Sequence, residues 1–347
     1  MGWGVVGAGT IADREFAPAI AAHDGATLAG VVSRDADRAA AFCGRHGGIA
    51  HSSLSSLLAD DAVGAVYIAT PNALHCSQAI EALDAGKHVL VEKPMALDTG
   101  EAREMVAAAR ARNRLLGVAF HLRHKPSNLA AREAVARGEI GELRLIQAHL
   151  GAGRSIFPYD GWRRDPGLGG GAGTLVHQGT HLLDLVRFVS AGEVVSVSGV
   201  ADERPHEGVA GALLTLEGGS VALVSSSDLR AGTRSDFTAL GSEGWLDVVG
   251  GTTAAHTRIR VHTDAGTTFY EDDDHSPFWH ELDDFQRAIR TRGRPRADGT
   301  DGLRNLELVE AVYRAIEERR TVDLGAERRT SPTLLNRYNQ LTRRRMP

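Results

Sequence analysis

The chain has 347 residues, room for two domains at the usual ~150 residues each, with 39 Lys and Arg against 44 Asp and Glu. The resulting net charge of −5 supplies no basic surface for a phosphate backbone, which argues against nucleic acid as a partner. No run of about 18 apolar residues predicts a membrane span, and two cysteines in helix-like stretches, Cys43 and Cys76, together with an N-terminus that lacks signal-peptide features, predict a cytoplasmic protein.

Residues 1–120 alternate short β-branched runs with Ala-rich helical stretches. Strands are predicted at Trp3–Val6, Thr27–Val32, Ala65–Ala69, His88–Val91 and Leu115–Ala119. Helices are predicted at Pro18–His23, Asp35–His46, Asn72–Ala85 and Thr99–Arg112. Such interleaving gives an α/β fold, a Rossmann-type doubly wound parallel sheet. Residues 121–347 change rhythm. Helices at Ser127–Arg137, Thr174–Val189, Phe278–Arg290 and Asp301–Arg319 flank a strand at Leu143–Leu150 and several short strands between Val194 and Tyr270. Glu217-Gly218-Gly219 between two of those strands marks a hairpin. This half is expected to be an α+β domain with a largely antiparallel open sheet, serving substrate binding and oligomerisation. Leu334, Leu335, Tyr338 and Leu341 fall at helical spacing and predict a short docking helix in the tail.

Gly7-Ala8-Gly9-Thr10-Ile11-Ala12 follows the first strand directly and opens a helix. Small residues there let backbone approach a pyrophosphate, whose charge the helix N-terminus stabilises. An NAD site usually carries an acid at the end of the second strand. Here Ser33 stands there, followed by Arg34 and, one turn on, Arg38. A hydroxyl and two guanidiniums suit a 2′-phosphate. NADP(H) is therefore favoured, while Asp35 leaves NAD(H) possible.

Glu92-Lys93-Pro94 closes the strand His88–Val91, and Thr70-Pro71-Asn72 with His75 closes the strand before it. In a doubly wound sheet these strand ends face the ligand crevice. On these motifs, with Gly7–Ala12, Ala85-Gly86-Lys87-His88-Val89 and Gly169-Gly170-Gly171 leading to His181 and Asp184, the chain resembles the Gfo/Idh/MocA family of NAD(P)-dependent sugar and polyol oxidoreductases. The resemblance implies that Lys93 is the catalytic lysine and His181 its partner in proton transfer. It also implies a homodimer or homotetramer. A cation beside the nicotinamide, partly desolvated, has a lowered pKa and can exchange a proton near neutrality.

His177, His181 and Asp184 stand at i, i+4 and i+7 on the predicted helix after the Gly-rich loop. Family members usually have Asp where this chain has His177, which puts the acid/base division and the substrate in doubt. Two histidines four apart also suit zinc, but no H-E-x-x-H pattern accompanies them, and no metal is expected. Gly161-Trp162-Arg163-Arg164, Ser33 with Arg38, and His121-Leu122-Arg123 resemble the 1,5-anhydrofructose reductase branch more weakly. An indole and a guanidinium suit a polyhydroxylated ring. The expected substrate residues are thus His121, Arg123, Trp162, Arg163, His177 and Asp184. Gly7, Gly9, Thr10, Ile11, Ser33, Arg34, Arg38, Thr70, Pro71, Asn72, His75, Glu92 and Lys93 are expected to hold the cofactor. The function expected is hydride transfer between nicotinamide and a sugar, polyol or keto-sugar carbon. A redox-neutral sugar-modifying enzyme with tightly held NAD(P) and a non-catalytic cofactor-sensing regulator are the rival readings.

Overall fold

The computed structural model describes residues 1–151, 161–163, 165–169, 173–202, 207–228, 234–249 and 257–325. The predicted tail helix, Arg164 and the pair Gly170-Gly171 lie outside the described residues.

The first sheet holds β1 (Gly2–Val6), β2 (Thr27–Val32), β3 (Ile49–His51), β4 (Ala65–Ile68), β5 (His88–Val91) and β6 (Leu116–Val118), all parallel, in the order β3-β2-β1-β4-β5-β6. Around it lie α1 (Ala17–Ala21), α2 (Ala36–His46), α3 (Leu54–Leu58), α4 (His75–Asp84) and α5 (Thr99–Ala111). The strands are continuous apolar runs because helices cover both faces: Val5, Val66, Tyr67, Ile68, Val89 and Val91 are all fully buried. The order reverses between β1 and β4, so the crevice beyond their carboxyl ends is the ligand position of this architecture. The predicted elements of this half are present. β3 and α3 are additional, and periodicity could not reveal them. β3 has three residues, Ile49 is 60% exposed, and a Ser-rich stretch follows.

The second half begins with α6 (Pro126–Ala136) and builds a nine-stranded sheet in the order β14-β13-β12-β11-β7-β10-β9-β8-β15. Its strands are β7 (Leu143–Gly151), β8 (Val194–Ala201), β9 (Val209–Leu216), β10 (Val221–Ser227), β11 (Arg234–Gly241), β12 (Gly244–Val249), β13 (Arg258–Thr263), β14 (Gly266–Glu271) and β15 (Val322–Asp323). Only β7 and β10 pair in parallel; the other neighbours are antiparallel. The β9–β10 hairpin turns at Gly218 (φ +89°) and Gly219 (φ +90°), a conformation L side chains avoid. The remaining helices are α7 (Pro166–Gly169), α8 (Thr180–Ser190), α9 (Pro277–Thr291) and α10 (Gly299–Glu318).

Side chains alternate along the sheet. Ala148, Leu214, Ala222, Val224 and Phe237 join a core with Leu182 and Val186 of α8 and Val312 of α10. Val200, Leu213, Leu223 and Leu240 instead stand exposed on the chain's surface. The chain then returns to the first sheet. Leu282 and Phe285 of α9 pack with Trp3, Phe16 and Tyr67, while Ala297 and Leu306 join the cluster around Val89 and Val118. Both halves therefore share core, and the crevice lies where they meet.

Candidate active site

Gly7 at the end of β1 has φ +100°, and a Cβ there would meet the Ala69 carbonyl oxygen at 2.8 Å. Glycine is required on both counts. A Cβ on Gly9 would meet nothing closer than 3.8 Å, so the turn opens onto free space at the place a pyrophosphate would occupy. The next turn, Ala12–Phe16, is π-helical, a register common at functional sites. Thr10 is exposed and Ile11 half-buried. This cradle fits a dinucleotide.

At the end of β2 the Asp35 carboxylate accepts from the Arg38 backbone N–H at 3.0 Å and caps α2. One of its oxygens is thereby engaged with the helix. Ser33 is half-buried, and its hydroxyl accepts from the Asp35 N–H at 3.3 Å. Arg34 and Arg38 are exposed, and neither side chain makes an ion pair among the described residues.

Two motifs lock together at the ends of β4 and β5. His75 is fully buried with Nδ1 2.9 Å from the Pro94 carbonyl and Nε2 2.9 Å from that of Thr70. Burial pulls its pKa down to about 4, so the neutral ring donates to one of these oxygens at neutral pH. His75 is therefore a brace between the Thr70-Pro71-Asn72 and Glu92-Lys93-Pro94 segments, both expected beside the cofactor. The Thr70 hydroxyl donates to Gln78 Oε1 at 2.6 Å. Asn72, following Pro71, is buried and its Nδ2 donates to the Gly169 carbonyl at 3.1 Å, tying the first domain to the loop that carries Trp162 and Arg163. Glu92 faces inward as well. Its Oε1 accepts from the Tyr67 hydroxyl at 2.5 Å and its Oε2 from the Lys93 N–H at 3.1 Å. Glu92, expected among the cofactor-binding residues, stands as a buried counter-charge at Lys93.

Lys93 Nζ donates to the backbone carbonyl of His177 at 2.7 Å. Burial lowers its pKa to about 8; Glu92 pulls it up and Arg163 pushes it down. His177 sits in a second π-helical turn, Leu175–Gly179, continuous with α8, which carries His181. His121 stands edge-on to His181 at 4.9 Å and stacks on Phe278 at 4.8 Å. Burial and the Lys93 charge hold all three imidazoles neutral: His121 and His177 fall to about 3, and His181 lies well below the ordinary value. The Arg163 guanidinium lies over the Trp162 ring at 4.8 Å, and both side chains are half-buried. Lys93, His121, His177, His181 and Arg163 thus form one electrostatic cluster. Lys93 is the member whose pKa lies nearest neutrality.

Arg123 and Asp184 stand apart from it. Arg123 Nε and Nη2 grip the Asp184 carboxylate at 2.7 and 2.6 Å, Nη1 reaches the Arg296 carbonyl at 2.9 Å, and both side chains are buried. These two residues, expected at the substrate, form a buried, bidentate ion pair with Asp184 turned toward the core. Sequence reasoning missed Tyr67 and Phe278, and it missed Glu281, 1% exposed on α9. A charge within the apolar stripe Phe278, Leu282, Phe285 was the available signal for Glu281. Among the described residues no group of three or more His, Cys, Asp or Glu side chains could hold a metal ion. No described helix is long and apolar enough to cross a membrane.

A parallel sheet with a glycine cradle at its switch point, facing a lysine anchored by the second domain, defines a two-domain nicotinamide-dependent oxidoreductase. Residues 1–120 match the Gfo/Idh/MocA oxidoreductase family, NAD-binding Rossmann fold, and residues 128–247 match the Gfo/Idh/MocA C-terminal domain. The chain belongs to this family. It is 33% identical over 324 residues to a 1,5-anhydro-D-fructose reductase of Ensifer adhaerens, covering 90% of this chain and 95% of that one. Among solved structures it is similar to an aldose-aldose oxidoreductase from Caulobacter crescentus complexed with glycerol (27% identity, TM-score 0.86, 93% of this chain and 99% of that one). It is also similar to a 3-ketoreductase from Actinomadura kijaniata in complex with NADP and TDP-benzene (28% identity, TM-score 0.80, 91% and 98%).

Proposed function

We propose that the protein is an NADP(H)-dependent oxidoreductase acting on a sugar, polyol or keto-sugar, with Lys93 as the catalytic lysine. The observation that carries this reading is the Lys93 ammonium, held by the His177 carbonyl at the carboxyl end of β5 with a pKa near 8. The cofactor, when bound, supplies or accepts the hydride. Gly7, Gly9, Thr10 and Ile11 form its phosphate cradle, and Thr70, Pro71 and Asn72 border its inner end. Lys93 carries the proton that the substrate oxygen gains in reduction or loses in oxidation. His181 is its partner, a neutral imidazole whose Nδ1 is buried with no hydrogen-bond partner among the described residues. His121, His177, Trp162 and Arg163 orient the sugar by hydrogen bonds and ring contact.

Ser33, Arg34 and Arg38 take the 2′-phosphate of NADP(H). The capping role of Asp35 supports this, since its carboxylate is engaged with the helix. NADP in the similar 3-ketoreductase is consistent with it. The exposed aliphatic face of the second sheet, with Leu213 directly paired to Leu223, supports a homodimer or homotetramer built on that face. A panel of sugars, inososes and keto-sugars followed by nicotinamide absorbance with each cofactor tests the reading. No substrate-dependent change in absorbance with any of them would refute it.

A further inference from the structure

The π-helical turn Leu175–Gly179, whose His177 carbonyl receives Lys93, is held at both ends by groups from outside it. The first N–H groups of a helix have no partner within it. Glu207, on the connection between β8 and β9, serves two of them. Its backbone carbonyl accepts from the Thr174 N–H at 3.1 Å and its Oε1 from the Leu175 N–H at 3.2 Å. The same Oε1 accepts from the Tyr313 hydroxyl of α10 at 2.8 Å, and Glu207 is 1% exposed. A Cβ on Gly173 would overlap this carboxyl, so glycine is what leaves room for it.

At the far end Thr180 opens α8. Its hydroxyl donates to Asn305 Oδ1 at 2.6 Å, and its carbonyl accepts from Asn305 Nδ2 at 3.0 Å. Both residues are buried. Asn305 and Tyr313 both stand on α10, so one helix secures the start of the turn through Glu207 and its end directly. A π-helical turn departs from the α register, and winding back to that register would re-aim the carbonyls within it. With Thr180 fixed, the grip on Leu175 is what keeps the near end from doing so. A carboxylate also suits the positive end of the helix dipole.

We propose that Glu207 is a positioning residue of the active site: by gripping the start of the Leu175–Gly179 turn, it sets where the His177 carbonyl stands and hence where the Lys93 ammonium is held. No contact between Glu207 and substrate or cofactor is involved. The effect travels through the Leu175 N–H, the turn and the His177 oxygen to Lys93 Nζ. Its bearing on turnover rests on Lys93 being the catalytic lysine.

The chain has only three lysines, and each ammonium has protein partners. Lys87 donates to the Asp60 and Val63 carbonyls in the first domain, Lys125 pairs with Asp272 in the second, and Lys93 bridges the two. Nitrogen-15 NMR of the full-length protein at about pH 6, below the Lys93 pKa of about 8, reads the solvent exchange of all three ammonium groups. Lys93 is assigned by the signal that Lys93→Met removes. Glu207→Ala is expected to speed exchange at Lys93 by about tenfold, the effect of one lost hydrogen bond, and to leave Lys87 and Lys125 unchanged. Glu207→Gln keeps an acceptor for Leu175 and Tyr313 and is expected to stay close to the wild type. Unchanged exchange at Lys93 in Glu207→Ala overturns the proposal. So does an equal rise at all three lysines, the mark of a merely structural role, and so does a loss in Glu207→Gln as large as in Glu207→Ala. A wild-type Lys93 that exchanges like a free lysine side chain overturns it as well. Should Glu207→Ala fail to fold, Tyr313→Phe, which removes only the hydroxyl that steadies the carboxylate, is read in its place: faster exchange at Lys93 alone supports the proposal and unchanged exchange overturns it. The measurement needs no turnover. An active Lys93→Met variant would remove the catalytic reading and leave the grip on the His177 turn to stand or fall by these signals.

Discussion

The ammonium of Lys93, at the end of a strand of the first domain, donates to the main-chain oxygen of His177, in the second. A backbone acceptor holds the lysine, so its position does not depend on which side chain residue 177 carries. Under the proposed function, the side chain at residue 177 can therefore change what faces the substrate without releasing Lys93.

Lys93→Met is expected to lower kcat by about 10²–10⁴-fold while NADPH affinity stays within a few-fold, the signature of an interaction made in the transition state. His177→Asp is expected to change which sugars are accepted and to leave the dependence on Lys93 intact. Steady-state kinetics over a substrate panel, with each variant alone and both combined, checks the pair. Near-full turnover by Lys93→Met would end the mechanistic reading.

The pH dependence follows from the same cluster. His121 and His177 titrate near 3, far below the ordinary 6.5, so they are neutral from weakly acid to alkaline pH. Reduction is expected to show an alkaline limb near pH 8, where Lys93 loses its proton, and no inflection near 6.5. Stability carries a linked signature. Between about pH 8 and 10.5 the unfolded chain holds a proton on Lys93 that the folded chain has released, so this residue makes stability rise with pH across that window. Urea unfolding at several pH values should show the wild type gaining stability relative to Lys93→Met across that window.

Much of this was legible in the sequence because the signals are local. Gly7 needs positive φ, β1, β4 and β6 are apolar runs, and Asp35 and Asp98 stand where helices begin. Partners across the fold were not legible. Nothing in the run from His177 to Asp184 says that a π-helical turn precedes α8, or that Asp184 meets Arg123, 61 residues away. His75 and Glu92 sit in motifs that face the crevice, yet their side chains turn back into the protein. A motif places a backbone segment, whereas the direction of each side chain depends on tertiary neighbours.

Arg123 provides a test of that distinction. Its guanidinium balances Asp184 in the core and also lies 3.3 Å from the half-buried Asp301. Arg123→Met leaves Asp184 uncompensated and is expected to cost about 3–5 kcal/mol of stability, read as a fall in the urea midpoint. The folded fraction should keep its KM. A raised KM without loss of stability would return Arg123 to the substrate.

The open face of the second sheet predicts association. Leu213 and Leu223 are each 45% exposed and directly paired across β9 and β10. Leu213→Glu places a charge in that patch and is expected to shift the protein toward monomer in light scattering. A wild type that is already monomeric at micromolar concentration would refute the oligomer.

The proposed preference for NADPH is tested at Arg38, which lies one turn into α2 with its side chain exposed and its backbone N–H bonded to Asp35. A guanidinium bonded to the 2′-phosphate makes a charge-assisted contact worth about 1.5–3 kcal/mol. Arg38→Ala should therefore weaken NADPH by roughly 10- to 150-fold. NADH has no 2′-phosphate, so its affinity should scarcely move, and the variant should discriminate less between the two. Arg34→Ala is expected to act in the same direction. Because Asp35 already caps the helix, Asp35→Ala should reduce stability by about 1 kcal/mol and leave the preference for NADPH in place. Fluorescence titration of both cofactors against the wild type and each variant measures all of this. Equal or tighter binding of NADH by the wild type would show that Ser33, Arg34 and Arg38 form an ordinary solvated helix start and that the ribose is held some other way.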